Sequence, residues 1–185
     1  MSGLLVLLLL VAVIVIPVAL YNRLVRLRNG SENAWSDIDV QLKRRHDLIP
    51  NLVETVKGYA QHEQTTFQKV TDARTRAMQA TGPAGKAAAE GDLTRVLSGL
   101  FAVAEAYPQL RASENFMGLQ SELANIEDAI QNARRYYNAL VRDLNNSCET
   151  FPSNLVASTF GFTKKEYFEL ETVEERGVPA VRFSS

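Results

Sequence analysis

The chain has 185 residues, enough for one compact domain with an appendage. Twenty Lys and Arg stand against 21 Asp and Glu, a net charge of −1, so no surplus of positive charge is available to neutralise a phosphate backbone, and no nucleic-acid partner is expected. The single cysteine, Cys148, excludes an internal disulfide and has no adjacent histidine to activate it, which makes it a small semi-buried side chain in a reducing compartment.

Residues 4–20 are apolar without exception, a run of 17 at the lower edge of the ~20 that cross a bilayer as a helix. Leu4, Leu10, Ile14 and Leu20 represent this face and Tyr21 extends it to the interface. Pro17 is tolerable there because water or neighbouring groups satisfy the carbonyl it frees. The competing reading is a cleaved secretory signal. Met1-Ser2-Gly3 carries no Lys or Arg, however, and no small-x-small site precedes Tyr21-Asn22, so a retained membrane anchor is expected. Arg23, Arg26 and Arg28 follow the span and no charge precedes it. The positive-inside rule then puts the N-terminus outside and the bulk of the chain in the cytoplasm, at the inner membrane. As headgroup contacts these arginines contribute about 1 kcal/mol each, but their topogenic role suffices to explain them.

From Trp35 onward, large apolar residues recur at spacings of three and four. One heptad set holds Trp35, Leu42, Ile49, Val56, Glu63, Val70 and Ala77; its companion holds Ile38, Arg45, Leu52, Tyr59, Thr66, Ala73 and Ala80. The pattern predicts one long helix over 35–80, kinked at Pro50. Upstream, Asn29-Gly30-Ser31 is either a hinge, with Ser31 or Asn33 capping a new helix, or a tolerated defect in a near-continuous rod, since Tyr21 and Leu24 are in phase.

Gly82-Pro83-Ala84-Gly85 and the alanines up to Gly91 read as a loop, after which Asp92 caps a helix presenting Leu93, Val96, Leu97, Leu100, Val103, Ala104 and Tyr107 and ending at Pro108. Ser113 caps the next. Phe116, Leu119, Leu123, Ile126, Ile130, Ala133, Tyr137, Leu140 and Leu144 then follow at spacings of three and four, the strongest periodic signal in the chain. Phe151-Pro152 stops that helix, and a short one over 154–160 precedes Gly161. In the tail, Tyr167, Phe168 and Leu170 alternate with Glu169, Glu171, Glu174 and Glu175; these aromatics are expected to dock on the helices. Gly177 and Pro179 forbid regular continuation, so 178–185 are expected to be extended or mobile.

Three stretches resemble the bacterial LemA family: Tyr21-Asn22-Arg23-Leu24-Val25, Ala34-Trp35-Ser36-Asp37-Ile38-Asp39-Val40-Gln41-Leu42, and Arg44-Arg45-His46-Asp47-Leu48-Ile49-Pro50-Asn51-Leu52-Val53. Tyr107-Pro108, Glu114-Asn115-Phe116, Ala133-Arg134-Arg135-Tyr136-Tyr137-Asn138 and Phe151-Pro152-Ser153-Asn154-Leu155-Val156 match as well, so the likeness covers essentially the whole chain. Cys148 and the alanine-rich stretch near Lys86 depart from it. The resemblance implies an N-terminally anchored protein with a mostly helical, bundle-like domain and no established enzymatic activity. It also implies a scaffold or accessory role at membranes, magnetosome membranes in one branch, and no catalytic residue.

The fold class expected is therefore all-α: an N-terminal transmembrane helix followed by an antiparallel up-and-down bundle of long helices. The divisions are an anchor at 1–22, a helical domain at 23–163 and a largely extended tail at 164–185. Trp35, Ile38, Leu42, Ile49, Leu52, Val56, Phe116, Leu123, Ile126, Ile130 and Tyr137 are the candidate packing residues.

Arg44-Arg45-His46-Asp47, with Asp37, Asp39, His62 and Glu63 nearby, invites a metal or catalytic reading, and helical geometry opposes it. Lys43 and Tyr59 stand where a Glu-x-x-His pair needs glutamate, and His46 and His62 lie ~24 Å apart along one helix. No HExxH, CxxC, phosphate loop or nucleophile elbow is present, so no cofactor, metal or enzymatic role is expected. The charges suit inter-helix pairing instead. If the chain after Gly91 runs antiparallel to the first helix without reversing at Pro108, Arg134 falls opposite Asp39; a reversal there would give an up-down bundle and lose this pair. A helix over 35–80 would be ~68 Å long, more than the following helix covers, and the uncovered stripe predicts a homo-oligomer. The expected role is a membrane-anchored, non-enzymatic scaffold that self-associates at the cytoplasmic face. The alternatives are an adaptor for a membrane protease or envelope-stress complex, and a hydrolase with an unrecognised site.

Overall fold

In the computed structural model, which describes residues 2–169, the apolar run and the first bundle helix are a single element. Helix α1 covers Ser2–Lys57, 56 residues, and passes through Pro17, Asn29-Gly30-Ser31 and Pro50 without interruption. Of the two readings of Asn29-Gly30-Ser31, the rod holds. Ser31 is buried and, instead of capping a new helix, donates its hydroxyl to the Arg28 carbonyl at 2.7 Å within the same helix. Among the described residues nothing covers Leu4, Leu10 and Ile14 in the N-terminal third of α1, which are 58–67% exposed, and this is one helix long and apolar enough to cross a membrane.

The expected single helix over 35–80 is two helices. α1 ends at Lys57, a turn occupies 58–63, and α2 runs Gln64–Gln79. The stripe itself fails where the chain turns. Tyr59 is 43% exposed at a core-phase position, and the next two such positions are the polar Glu63 and Thr66. Gly58 sits at the break, and the amides of Tyr59 and Ala60 both bond the Val56 carbonyl to close the last turn. α2 then folds back, so Val56, Ala60, Phe67, Val70, Ala73 and Ala77 are all buried within one chain. That the phase resumes after the turn is a coincidence of spacing, and the uncovered stripe that argued for an oligomer does not exist.

The expected loop over 82–91 is also corrected. α3 spans Pro83–Glu105 with Pro83 in its first turn, where a missing N–H costs nothing, and Gly82 before it takes φ +71°, a backbone state that favours glycine. The alanines that offer no large core residue are the best intrinsic helix formers. Asp92 is interior to α3 and pairs with Arg95 at 2.9 Å. A short α4, Pro108–Arg111, buries Leu110 before α5, Glu114–Glu149, whose first turn donates the Phe116 amide to Ser113 Oγ at 3.5 Å. α6 covers Ser153–Thr159 and closes through Gly161, φ +70°, which lets the Phe162 amide reach the Ala157 carbonyl at 2.9 Å. No strand occurs among the described residues.

The chain forms two units, to both of which α1 and α5 contribute. One holds the residues up to Arg44 with Asn125–Tyr167. Here α5 runs antiparallel to α1: Leu140 lies on Gly30, and the rings of Trp35 and Tyr137 meet at 5.4 Å. Leu24, Leu144, Val156, Ala157 and Phe162 form a buried cluster, flanked by Leu20, Val25, Leu27 and Cys148. The tail begins as an extended segment held by side chains. Asn145 both donates to the Lys165 carbonyl and accepts its amide, and Tyr137 donates to the Glu166 carbonyl at 2.8 Å. The other unit holds Arg45–Ala124 and Phe168, and its helices run up and down in the order α1, α2, α3, α5. Phe168 is fully buried, whereas Leu170, Glu171, Glu174, Glu175, Gly177, Pro179 and the extended 178–185 segment lie outside the described residues.

The chain does reverse between α3 and α5, and α5 is nonetheless antiparallel to α1, so the two alternatives drawn at Pro108 were not exclusive. The extra reversal comes from α2.

Candidate functional site

A buried polar cluster ties α1 to α2 and α3. Arg45 occupies a core-phase position of α1, and on that face a guanidinium needs a carboxylate. Glu90 supplies it from α3: Arg45 Nη1 donates to Glu90 Oε2 at 2.9 Å, with the two side chains only 3% and 2% exposed. The neighbouring His46 directs Nε2 at the other carboxylate oxygen, Oε1, at 2.7 Å, a hydrogen bond in which the ring N–H donates to the carboxylate. Arg45 Nη2 also donates to Thr94 Oγ1 at 2.7 Å, and Thr94 in turn donates to the Glu90 carbonyl one turn back.

Pro50 accounts for the third strut. It has no N–H for the carbonyl four residues earlier, which belongs to His46. Arg74 on α2 fills the vacancy, its Nε donating to the His46 carbonyl at 2.7 Å. One stretch of α1 thereby fixes the height of two other helices.

Chemically the cluster is closed. Both Glu90 oxygens are engaged, and the groups lie too deep to meet a substrate. Its geometry suits a register lock, in which specific pairing selects one sliding position among the several that an apolar stripe accepts. Arg45 and His46 stood out in the sequence; Glu90 did not, because it lay in a stretch read as loop. The usable signal was Arg45 itself, a charge inside the heptad core.

The other candidate residues are distributed as follows. Ile38, Leu42, Ile49, Leu52, Val56, Phe116, Leu123, Ile126, Ile130 and Tyr137 are buried, and Trp35 is half-buried against Tyr137. Arg23, Arg26 and Arg28 are exposed on α1 just beyond Leu20, Arg28 lying over the Phe162 ring at 5.2 Å. Asp39 and Arg134 are both half-buried in the first unit, one turn of each helix beyond the Trp35 and Tyr137 rings. Cys148 is half-buried; burial, then the adjacent Glu149, push its thiol above the ordinary value, which disfavours the thiolate. Among the described residues no group of three or more His, Cys, Asp or Glu is placed to hold a metal ion.

Together these features define an all-α protein in which an N-terminal apolar helix of membrane-crossing length runs on into a bundle of long helices. Residues 34–183 match the LemA family, and the chain belongs to it. Similar proteins include Magnetosome protein MamQ 2 of Paramagnetospirillum magneticum, 27% identical over 80% of this chain and 64% of the relative. Magnetosome protein MamQ of Magnetospirillum gryphiswaldense is 27% identical, with 86% and 68% covered. Protein LemA of Metamycoplasma hominis is 27% identical, with 83% and 70% covered. The chain thus spans 64% of the length of the first of these relatives.

Proposed function

We propose that the protein is a membrane-anchored scaffold: residues 4–20 cross the inner membrane, the N-terminus lies outside, and the helical body is held at the cytoplasmic face. The observation that carries this reading is the continuity of α1, one helix that runs from the apolar span to the buried Leu24 and Ile38 with no loop between them. Arg23, Arg26 and Arg28 support the orientation. The working divisions are an anchor at 1–22, a helical domain at 23–163 and a tail from 164.

Self-association belongs to this proposal on narrower grounds than a long bare stripe. The exposed apolar residues Val40 and Tyr136 are available for contacts between copies. Two of the similar proteins are named magnetosome proteins, which supports a role at a membrane. An adaptor that presents its helices to a membrane protease or stress-response complex is the second reading. Cross-linking of the full chain in membranes, followed by sizing in detergent, separates them. A defined homo-oligomer supports the scaffold; a monomer cross-linked to one other protein supports the adaptor.

Asp39 and Arg134 are proposed as an ion pair between α1 and α5, given the antiparallel register at Trp35 and Tyr137. Charge reversal at either, D39R or R134D, should lower stability by ~0.2–1 kcal/mol and the double swap should restore it. A double variant no more stable than the singles would dismiss the pair.

A further inference from the structure

Three large apolar side chains at the corner between α5 and α6 are exposed among the described residues: Phe151 is 79% exposed, Leu155 58% and Phe160 60%. α6 turns Ser153, Val156 and Ala157 inward and leaves Leu155 on its outer side. Water is a poor environment for such a group, because transferring apolar surface out of water is favourable.

Their height along α1 indicates what covers them. Leu140 lies on Gly30, so ten residues back along α1 and ten forward along α5 lead to Leu20 and Thr150, and the corner arrives level with the end of the apolar run. Tyr21 confirms it, meeting Phe160 edge-on at 4.8 Å and Phe162 at 5.7 Å. The apolar run rises only about 26 Å at 1.5 Å per residue, short of the ~30 Å hydrocarbon layer. A span this short brings the polar boundary of the bilayer to Tyr21 or beyond it. Aromatic side chains at this level sit where aromatic belts form, and the exposed Arg23 and Arg26 follow within reach of headgroup phosphates.

The geometry points to the α5–α6 corner as a second membrane contact, in which Phe151, Leu155 and Phe160 insert into the boundary between headgroups and acyl chains beside the helix that crosses it. This rests on the reading of residues 4–20 as the membrane span. With two points of attachment, the α5–α6 corner is held at the membrane surface beside α1.

Tryptophan depth measurements on the full chain test it. The native Trp35 is replaced in a W35F background, and F151W and L155W are compared with V40W, an exposed position on α1 about 30 Å beyond Leu20. Each protein is reconstituted in phosphatidylcholine and phosphatidylglycerol vesicles whose acyl chains are brominated near the headgroup. F151W and L155W should emit at short wavelength and lose most of their fluorescence to the bromines, while V40W is unquenched. If the chain floats with the vesicles but neither corner position is quenched, the second contact is wrong and the anchor stands. If the chain does not float at all, both fail. Short-wavelength emission that is unquenched and disappears on dilution into excess vesicles would assign the corner to a second copy and overturn the proposal.

Discussion

Arg74 donates to the backbone carbonyl of His46 at 2.7 Å, and that carbonyl is the one Pro50 deprives of its helical partner. A proline inside α1 and an arginine on α2 are therefore two halves of one interaction. R74M should cost ~1–3 kcal/mol, the loss expected when a half-buried acceptor has nothing to replace its donor. In a P50A background the restored amide of residue 50 reaches the same carbonyl, and R74M should cost markedly less. Urea unfolding of the four proteins in detergent, followed by helical circular dichroism, measures this coupling; strictly additive effects would refute it.

Glu90 balances the buried Arg45 charge and accepts from His46. E90A strands the guanidinium and should lower stability by about 3–5 kcal/mol, as breaking a buried pair does. Replacing both partners with apolar residues, R45M with E90M, removes the charge altogether and should recover most of that loss. The urea midpoint decides between a pair needed for stability and one needed for register. If the double variant recovers its midpoint but α3 shows altered hydrogen exchange, the register role is supported.

The helical class and the core face of α5 could be read from the sequence because the spacing from Phe116 to Leu144 admits no other element. The identity of the packing residues on α1 followed the same rule. The turn at 58–63 was hidden because Val70 and Ala77 resume the phase of Val56 after the chain has reversed, and periodicity carries no record of direction. α3 began earlier than expected because alanine favours a helix by its backbone alone, without the large side chains that mark a core. Glu90 was hidden with it. Arg45 was visible as a charge in an apolar register, but a partner distant in sequence is supplied only by the fold.

Gly30 is a helix-interior glycine with an ordinary negative φ, and a Cβ built there meets Leu140 at 3.5 Å, a normal van der Waals contact. Its place in α1 is not required by space. G30A should stabilise the protein by about 0.5–1 kcal/mol through backbone entropy. A rise in the urea midpoint with unchanged helix content is expected; destabilisation would mean that α5 sits closer to α1 than this geometry has it.

Whether the continuous helix α1 keeps the body on the membrane is decided by fractionating cells that express the full chain with an N-terminal tag. The tag should be reached by protease from outside the inner membrane, while the chain pellets with membranes through an alkaline wash. Recovery of intact chain in the alkaline supernatant would contradict the account.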